Sequence, residues 1–328
     1  MQRRGVLTSG LVGLAATLGG VATLSLGACA PKRPPLRAAL NDWIGYAFLY
    51  LARDWMAAYG DGLRLIEYPS NTASMTALFN GDVDMAALTL DEVLRAREGG
   101  LDAEVILVMD ESHGSDVIMA RPDVGGLGQL KGLRVGVEAS AVGALMLSKL
   151  LAHAGLSASD VVKVDATADR HLEAYRSGEV DVVVTFEPFA SALRQEGAVN
   201  WMDSRQFPGL ILDVLAVRRD RLRDDPSRHR LLLQSHFQAT ADWRRAPGRA
   251  EQVISQHVLM PAAEVAQALS GLKVPDLADN RKWLDGPDPR LVRSARELGA
   301  LMTAEGLLRR PPDLRGLCDP AFLPGGPA

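Results

Sequence analysis

The sequence predicts an α/β fold built in two halves, and three observations carry the prediction. Short apolar runs alternate with helix-length amphipathic segments from residue 36 to about residue 220. That alternation, with short links, implies a mostly parallel sheet with right-handed crossovers. The rhythm breaks at a Gly-rich, Pro-containing stretch, "ARPDVGGLGQLKG" (120–132), and then restarts. Finally, one pattern occurs twice, as "NGDVDMAALTLDEV" (80–93) and "SGEVDVVVTFEPFA" (177–190): Gly, acid, Val, Asp, an apolar run, Thr, one apolar residue, acid.

In the first half, strands are expected at 36–42, 63–69, 83–89 and 103–110, and helices at 47–60, 70–81 and 90–100. Gly60 ends the first helix, and Ser70 or Asn71 caps the second. In the second half, strands are expected at 133–139, 161–166 and 180–186. Helices follow at 140–155, with Ser140 as cap and Gly155 as stop, at 169–178, and at 188–197, where Pro188 suits a first helical turn. A long apolar strand covers 210–220, and residues 221–323 read as almost wholly helical, most clearly at 226–247.

The N-terminus has a different character. Arg3 and Arg4 precede 24 uncharged residues, Gly5 to Ala28, the layout of an export signal. The paired arginines resemble a twin-arginine signal, and an uncleaved membrane anchor is the alternative. "LGAC" (26–29) resembles a bacterial lipoprotein box, in which Cys29 becomes the lipidated first residue. Loss of residues 1–28 would remove two positive charges and take the net charge from −4 to −6. The chain has two cysteines, so lipid on Cys29 leaves Cys318 without a partner; a Cys29–Cys318 bridge is the other possibility. Residues 29–35 then form the lipidated cysteine and a stiff tether.

Composition bounds the function. The 328 residues are 47% hydrophobic, enough for one large or two ordinary domains with real cores, and only 5% aromatic. Acids and bases are interspersed with no basic stripe, so nucleic acid is not an expected partner. No hydrolase elbow, P-loop or metal-binding helix motif is present, and "VGGLG" (124–128) is too short for a phosphate loop. Neither a catalytic set, a metal site nor a cofactor is expected.

Ligands of open α/β sheets sit beyond the carboxyl ends of the strands. Asp91 and Glu187 stand there, one in each half. Each either faces a shared cleft or favours the positive N-terminus of the helix that follows. Trp43, Gly45 and Tyr46 follow the first strand, and in so aromatic-poor a chain they suggest a stacking wall with room for close backbone approach. Ser70 and Thr89 stand at strand–helix junctions. Ser140, Ala141 and Val142 open a helix whose N–H groups can meet an anion or carbonyl. Ser115 and Asp116 lie where the chain would cross between halves, and Asp213 needs a partner in its apolar strand.

Four segments, "NDWIGYAFLYLARD" (41–54), "GDVDMAALTLDE" (81–92), "LKGLRVGVEASAVGALML" (130–147) and "GEVDVVVTFEP" (178–188), resemble the substrate-binding proteins of ABC importers in the nitrate, sulfonate, taurine and thiamin-pyrimidine group. The likeness covers about residues 37–220. It implies a two-lobed, type II periplasmic-binding-protein fold with a two-segment hinge at 117–123 and 207–214 and a helical C-terminal tail. Lobe 1 would be 36–118 plus 211–328, and lobe 2 would be 119–210.

The implied function is an exported, lipid-anchored, monomeric solute receptor that serves an ABC permease and ATPase without catalysis. A sensory ectodomain and a pyrimidine-synthase-like enzyme are the alternatives. The implied solute is small and polar, either sulfonate- or taurine-like or an amino-heterocycle such as a pyrimidine. The candidate residues include four acids and no Lys or Arg, which suits an amine, a zwitterion or an amino-heterocycle better than a bare oxyanion.

Overall fold

A computed structural model describes residues 33–138, 142–258 and 260–325. The expected export signal, Cys29, Ser140 and Ala141 lie outside the described residues. From Pro34 onward the chain forms one compact unit.

The first run of elements is β1 (Leu36–Leu40), α1 (Phe48–Ala58), β2 (Leu63–Glu67), α2 (Asn71–Asn80), β3 (Met85–Thr89), α3 (Leu90–Glu98) and β4 (Ala103–Ser112). The second is β5 (Asp116–Ala120), β6 (Arg134–Val137), α4 (Val142–Ala154), β7 (Val162–Asp165), α5 (His171–Arg176), β8 (Val182–Phe186), α6 (Phe189–Gln195) and β9 (Val199–Asp203). The chain returns through β10 (Leu212–Arg218). It ends in α7 (Arg219–Asp224), α8 (Pro226–Arg245), α9 (Pro247–His257), α10 (Ala262–Leu269), β11 (Leu272–Lys273), α11 (Leu277–Leu284) and α12 (Arg290–Ala304).

Two sheets result, ordered β11-β4-β10-β3-β1-β2 and β7-β6-β8-β5-β9. Each has a parallel trio, β2-β1-β3 and β7-β6-β8, as the strand–helix rhythm requires. Each is also entered by a crossing strand that runs antiparallel, β10 between β3 and β4, and β5 between β8 and β9. The sheets are therefore mixed where the chain changes lobe. The crossings occupy 113–115 and 204–211. Residues 117–120, expected in a crossing, are instead strand β5. Their four apolar side chains alternate between the two faces of the second sheet, and both faces are covered, which stabilises a strand over an open linker. The strand β9 was not foreseen, because "VNWMD" has only a short apolar content and one half-buried Trp201.

The core of the first lobe is continuous with the helical tail. Leu232 and Leu233 of α8, Ile254 of α9, Trp283 of α11 and Leu291 of α12 join the β1, β3, β4 and β10 side chains in one cluster. Among the described residues, no helix is long and apolar enough to cross a membrane. Cys318 is unpaired there and half-buried, and burial pushes its thiol up to about 12.

The doubled sequence pattern has a structural reason at its polar start. Gly81 and Gly178 both have positive φ (81° and 73°), which lets the chain turn sharply out of a helix. Three residues on, Asp84 and Asp181 each hold an arginine at the start of the central strand of their parallel trio, Arg37 in β1 and Arg134 in β6. Arg37 Nη2 lies 2.7 Å from Asp84 Oδ1, and Arg134 Nη2 lies 2.6 Å from Asp181 Oδ1. In both clamps the arginine's backbone N–H also donates to the same carboxylate, at 2.9 Å. Burial raises the Asp84 carboxyl, but Arg37 outweighs it and leaves it below its ordinary value. Hydrogen bonding by Arg134 holds Asp181 low as well.

Candidate functional site

The carboxyl ends of the two parallel trios face one another across a narrow cleft. A cavity of about 10 Å³ lies between them, lined by Asn71 at the start of α2 and by Asp116, Glu138, Gly143, His171 and Phe186 of the other lobe, among others. That is room for roughly one water-sized sphere. The lobes touch on either side. Trp43 and Phe186 meet edge to face with ring centroids 5.6 Å apart, and Phe186 meets Phe189 likewise at 5.5 Å. Glu138 Oε1 accepts a short hydrogen bond from the Thr72 hydroxyl and a second from the Thr72 backbone N–H at 3.3 Å.

Strand geometry places each lining group. Glu138 follows the last residue of β6, and Thr185 and Phe186 end β8. Asp116 opens β5 in register with Phe186, so it enters the cleft from the crossing side. Asn71 is the first residue of α2, capped by Ser70, whose Oγ accepts from the Ala73 N–H at 3.2 Å.

The polar accounting is uneven. His171 is buried and fully bonded, with Nδ1 3.0 Å from Thr185 Oγ1 and Nε2 3.1 Å from the Ala166 carbonyl. Burial drives its pKa down to about 4, so the ring is neutral near pH 7. Asp116 and Asn71 differ. Each is at least 95% buried, and Asp116 Oδ2 and Asn71 Oδ1 have no hydrogen-bond partner among the described residues. Burial raises the Asp116 carboxyl to about 7, with Asp110 and Asp91 adding to the rise. An orphaned buried acceptor costs free energy that an N–H donor recovers.

Behind Trp43 lies a second polar layer. The Trp43 Nε1 donates to Asp110 Oδ2 at 3.3 Å, and the Tyr46 hydroxyl donates to Asp213 Oδ1 at 2.6 Å. Asp110 and Asp213 are cross-strand partners of β4 and β10. Burial raises both carboxyls, and for Asp213 the adjacent Asp110 raises it further, so the pair holds a proton near neutral pH. Gly45 permits this layer: a Cβ there would stand 2.0 Å from Asp110 Oδ2 and 2.6 Å from Trp43 Nε1.

The sequence candidates therefore separate. Asp116 and Val142 line the cavity. Trp43 reaches it through Phe186, while Gly45, Tyr46 and Asp213 build the layer behind. Asp91 is buried at the start of α3, with its carboxyl raised mainly by burial. Thr89 caps α3, its N–H donating to Glu92 Oε2 at 2.9 Å. Ser115 gives its hydroxyl to the Ala268 carbonyl at 3.0 Å. Glu187 turns to its own helix, accepting from the Ser191 N–H at 3.1 Å and pairing with Arg194 at 2.5 Å.

Sequence reasoning missed Asn71, Asp110, Glu138, His171, Thr185 and Phe186. Asp110 and Glu138 carried a usable signal, an acid at the end of an apolar strand, the same signal that singled out Asp213. Among the described residues, no group of His, Cys, Asp and Glu is placed to hold a metal ion.

Comparison with known proteins places the architecture. A model of the NMT1-like family matches residues 31–257. The alkanesulfonate-binding protein SsuA of Xanthomonas axonopodis pv. citri, solved with MOPS bound, superposes with a TM-score of 0.76 at 17% identity, over 88% of this chain and 99% of that one. The periplasmic aliphatic sulphonate-binding protein SsuA of Escherichia coli gives 0.69 at 17% identity, over 87% and 97%. The desulfurization enzyme DszB gives 0.65 at 17% identity, over 89% and 98%. No curated protein sequence matches the chain. At these identities the likeness is one of fold, the type II periplasmic-binding-protein fold.

Proposed function

The chain belongs to the NMT1-like family, and from that premise we propose that it is an extracytoplasmic solute receptor that delivers a small polar molecule to an ABC permease. One observation carries the reading. The cavity is lined from both lobes, and it presents buried acceptors, Asp116 Oδ2 and Asn71 Oδ1, that have no partner among the described residues. A group held from both sides joins the lobes, so binding favours closure. Entry requires the Trp43–Phe186 and Thr72–Glu138 contacts to part, with motion absorbed at 113–115 and 204–211. The permease then reads the closed form.

Lipid on Cys29 would keep the receptor at the membrane after export. The aromatic edges of Trp43 and Phe186 suit a flat amino-heterocycle or a short aliphatic stem. The SsuA likeness supports a sulfonate- or taurine-like solute instead, and the two classes are separable by experiment.

The test is a thermal-shift panel on the full chain in mild detergent, with alkanesulfonates, taurine, aminopyrimidines and small amines. At about 100 times Kd a ligand adds roughly 2.7 kcal/mol, which raises the midpoint of a chain this size by about 5 °C or less. A shift that Phe186→Ala and Asn71→Ala both diminish supports the reading. Recovery of the solute unchanged separates binding from catalysis. A protein that binds no panel member, yet unfolds cooperatively, counts against it.

A further inference from the structure

The N-terminus of α2 is the position in this cleft best suited to an anion. It is a ten-residue helix that begins at the cavity, and free N–H groups and the helix dipole favour negative charge there. The protein has placed its own carboxylate on it. Glu138, from the facing lobe, takes both the hydroxyl and the backbone N–H of Thr72, and it is itself 8% exposed. An incoming sulfonate or nitrate would have to displace this carboxylate and then remain beside it.

The rest of the cleft repels anions too. Its described lining includes Asp116 and Glu138 and no Lys or Arg. The one basic side chain, His171, uses both ring nitrogens on Thr185 and Ala166. Behind Trp43 the Asp110–Asp213 pair holds a proton and supplies no positive charge, and the buried Asp91 adds its field to that of Asp116. At the carboxyl end of β1, Asp42 lies in the field of Glu67 of the same lobe and of Asp169 of the other. Burial, then those two carboxylates, raises the Asp42 carboxyl. The charged partners nearby are committed elsewhere: Arg194 to Glu187, and Arg95 to the Leu307 carbonyl at 3.1 Å.

We infer that Glu138 is a specificity determinant that fills the anion position of the cleft, so that the solute is a compact cation held through its N–H donors. The inference rests on the reading of the cleft as a solute site. A primary ammonium or amidinium group would donate to Asp116 Oδ2 and Asn71 Oδ1, which are buried and unpaired among the described residues, and Glu138 would supply a second negative charge. A charge-assisted hydrogen bond of this kind is stronger than a neutral one. The clustered acids would also attract a cation from solution and make its association rate sensitive to salt.

The experiment is isothermal titration of the full chain in mild detergent with putrescine, agmatine and ethanolamine as cations, and with ethanesulfonate and nitrate as anions. Wild-type protein should bind at least one cation and neither anion. Glu138→Gln should weaken cation binding about tenfold or more and admit ethanesulfonate. Asp116→Asn should weaken cations without admitting the anion, which keeps the inference testable if the Glu138 variant fails to fold. Ethanesulfonate binding to the wild type, weakened by Phe186→Ala, would overturn the charge assignment and leave the receptor reading standing. Cation binding that survives both substitutions unchanged would overturn the assignment of these residues. No binding by either class, together with no shift from the aminopyrimidines of the thermal panel, would overturn the receptor reading and this inference with it.

Discussion

The β3–α3 and β8–α6 junctions begin alike and end differently. Both start with a left-handed glycine and a strand-opening aspartate that clamps an arginine. Both bury a threonine at the strand's end, and both place an acid two residues later. There the likeness stops. Glu187 is joined to Arg194 and to the N-terminus of α6. Asp91 has an arginine at the next turn, Arg95, yet that guanidinium reaches the Leu307 carbonyl beyond α12. The C-terminal tail has taken the cation that would have matched the second junction. The result is a buried acid paired with an arginine at the β8–α6 junction and a buried acid whose arginine is bonded elsewhere at the β3–α3 junction, with Asp116 in the field of the latter. A repeated motif thus fixes the backbone, while neighbours distant in sequence fix the charge.

The comparison is sharpened most by pH. The Asp116 carboxyl is raised by burial to about 7, so its contribution to stability is present below about pH 4 and is lost as pH rises through about 7. Relative to wild type, Asp116→Asn should gain stability between pH 5 and pH 8, by roughly 2–4 kcal/mol at most. Urea midpoints at both values check this. An unchanged difference would mean that Asp116 is ionised throughout.

Next in size, Glu187→Ala should lose its cap and its partner, lowering stability by about 1–3 kcal/mol after allowance for the half-exposed Arg194. Asp91→Asn, which removes a buried charge, should leave the thermal midpoint unchanged or higher. Equal losses in the two variants would erase the contrast drawn between the junctions. Thr185→Val should then leave His171 Nδ1 without its partner, at a cost of about 1–2 kcal/mol. In an NMR titration of the variant, the His171 ring resonances should move from their wild-type positions.

The smallest effects should come from the clamps. The carboxyls of Asp84 and Asp181 are held low, so their stabilisation is present above about pH 4 and is lost as pH falls through the folded values. Asp84→Ala should cost about 1 kcal/mol at pH 6. Asp181→Ala should cost less, since Arg134 is 44% exposed and solvent screens it. Both deficits should shrink in acid, as thermal melts at pH 6 and pH 3 would show.

Much of this was legible from local pattern. Apolar runs of strand length, amphipathic helices and the glycines after them depend on near neighbours and on backbone conformation, which the sequence states directly. The two-lobed fold, the parallel trios, Ser70 as a cap and the place of Asp116 beside the crossing follow from such signals. That Asp213 would need a partner follows from the same reasoning, since an acid in an apolar strand is costly to bury alone.

The tertiary structure alone decided who those partners are. Asp213 received Asp110 across the sheet and the Tyr46 hydroxyl, not a lysine or arginine. Ser115 went to Ala268, 153 residues away, and Glu138 crossed to Thr72. Each outcome depends on which strand lies beside which and on how two lobes meet, and a charge acts over several ångströms without regard to chain order. For this protein, sequence determined the elements and the junctions where chemistry could occur. Three-dimensional packing determined which of those junctions paired its acid with an arginine.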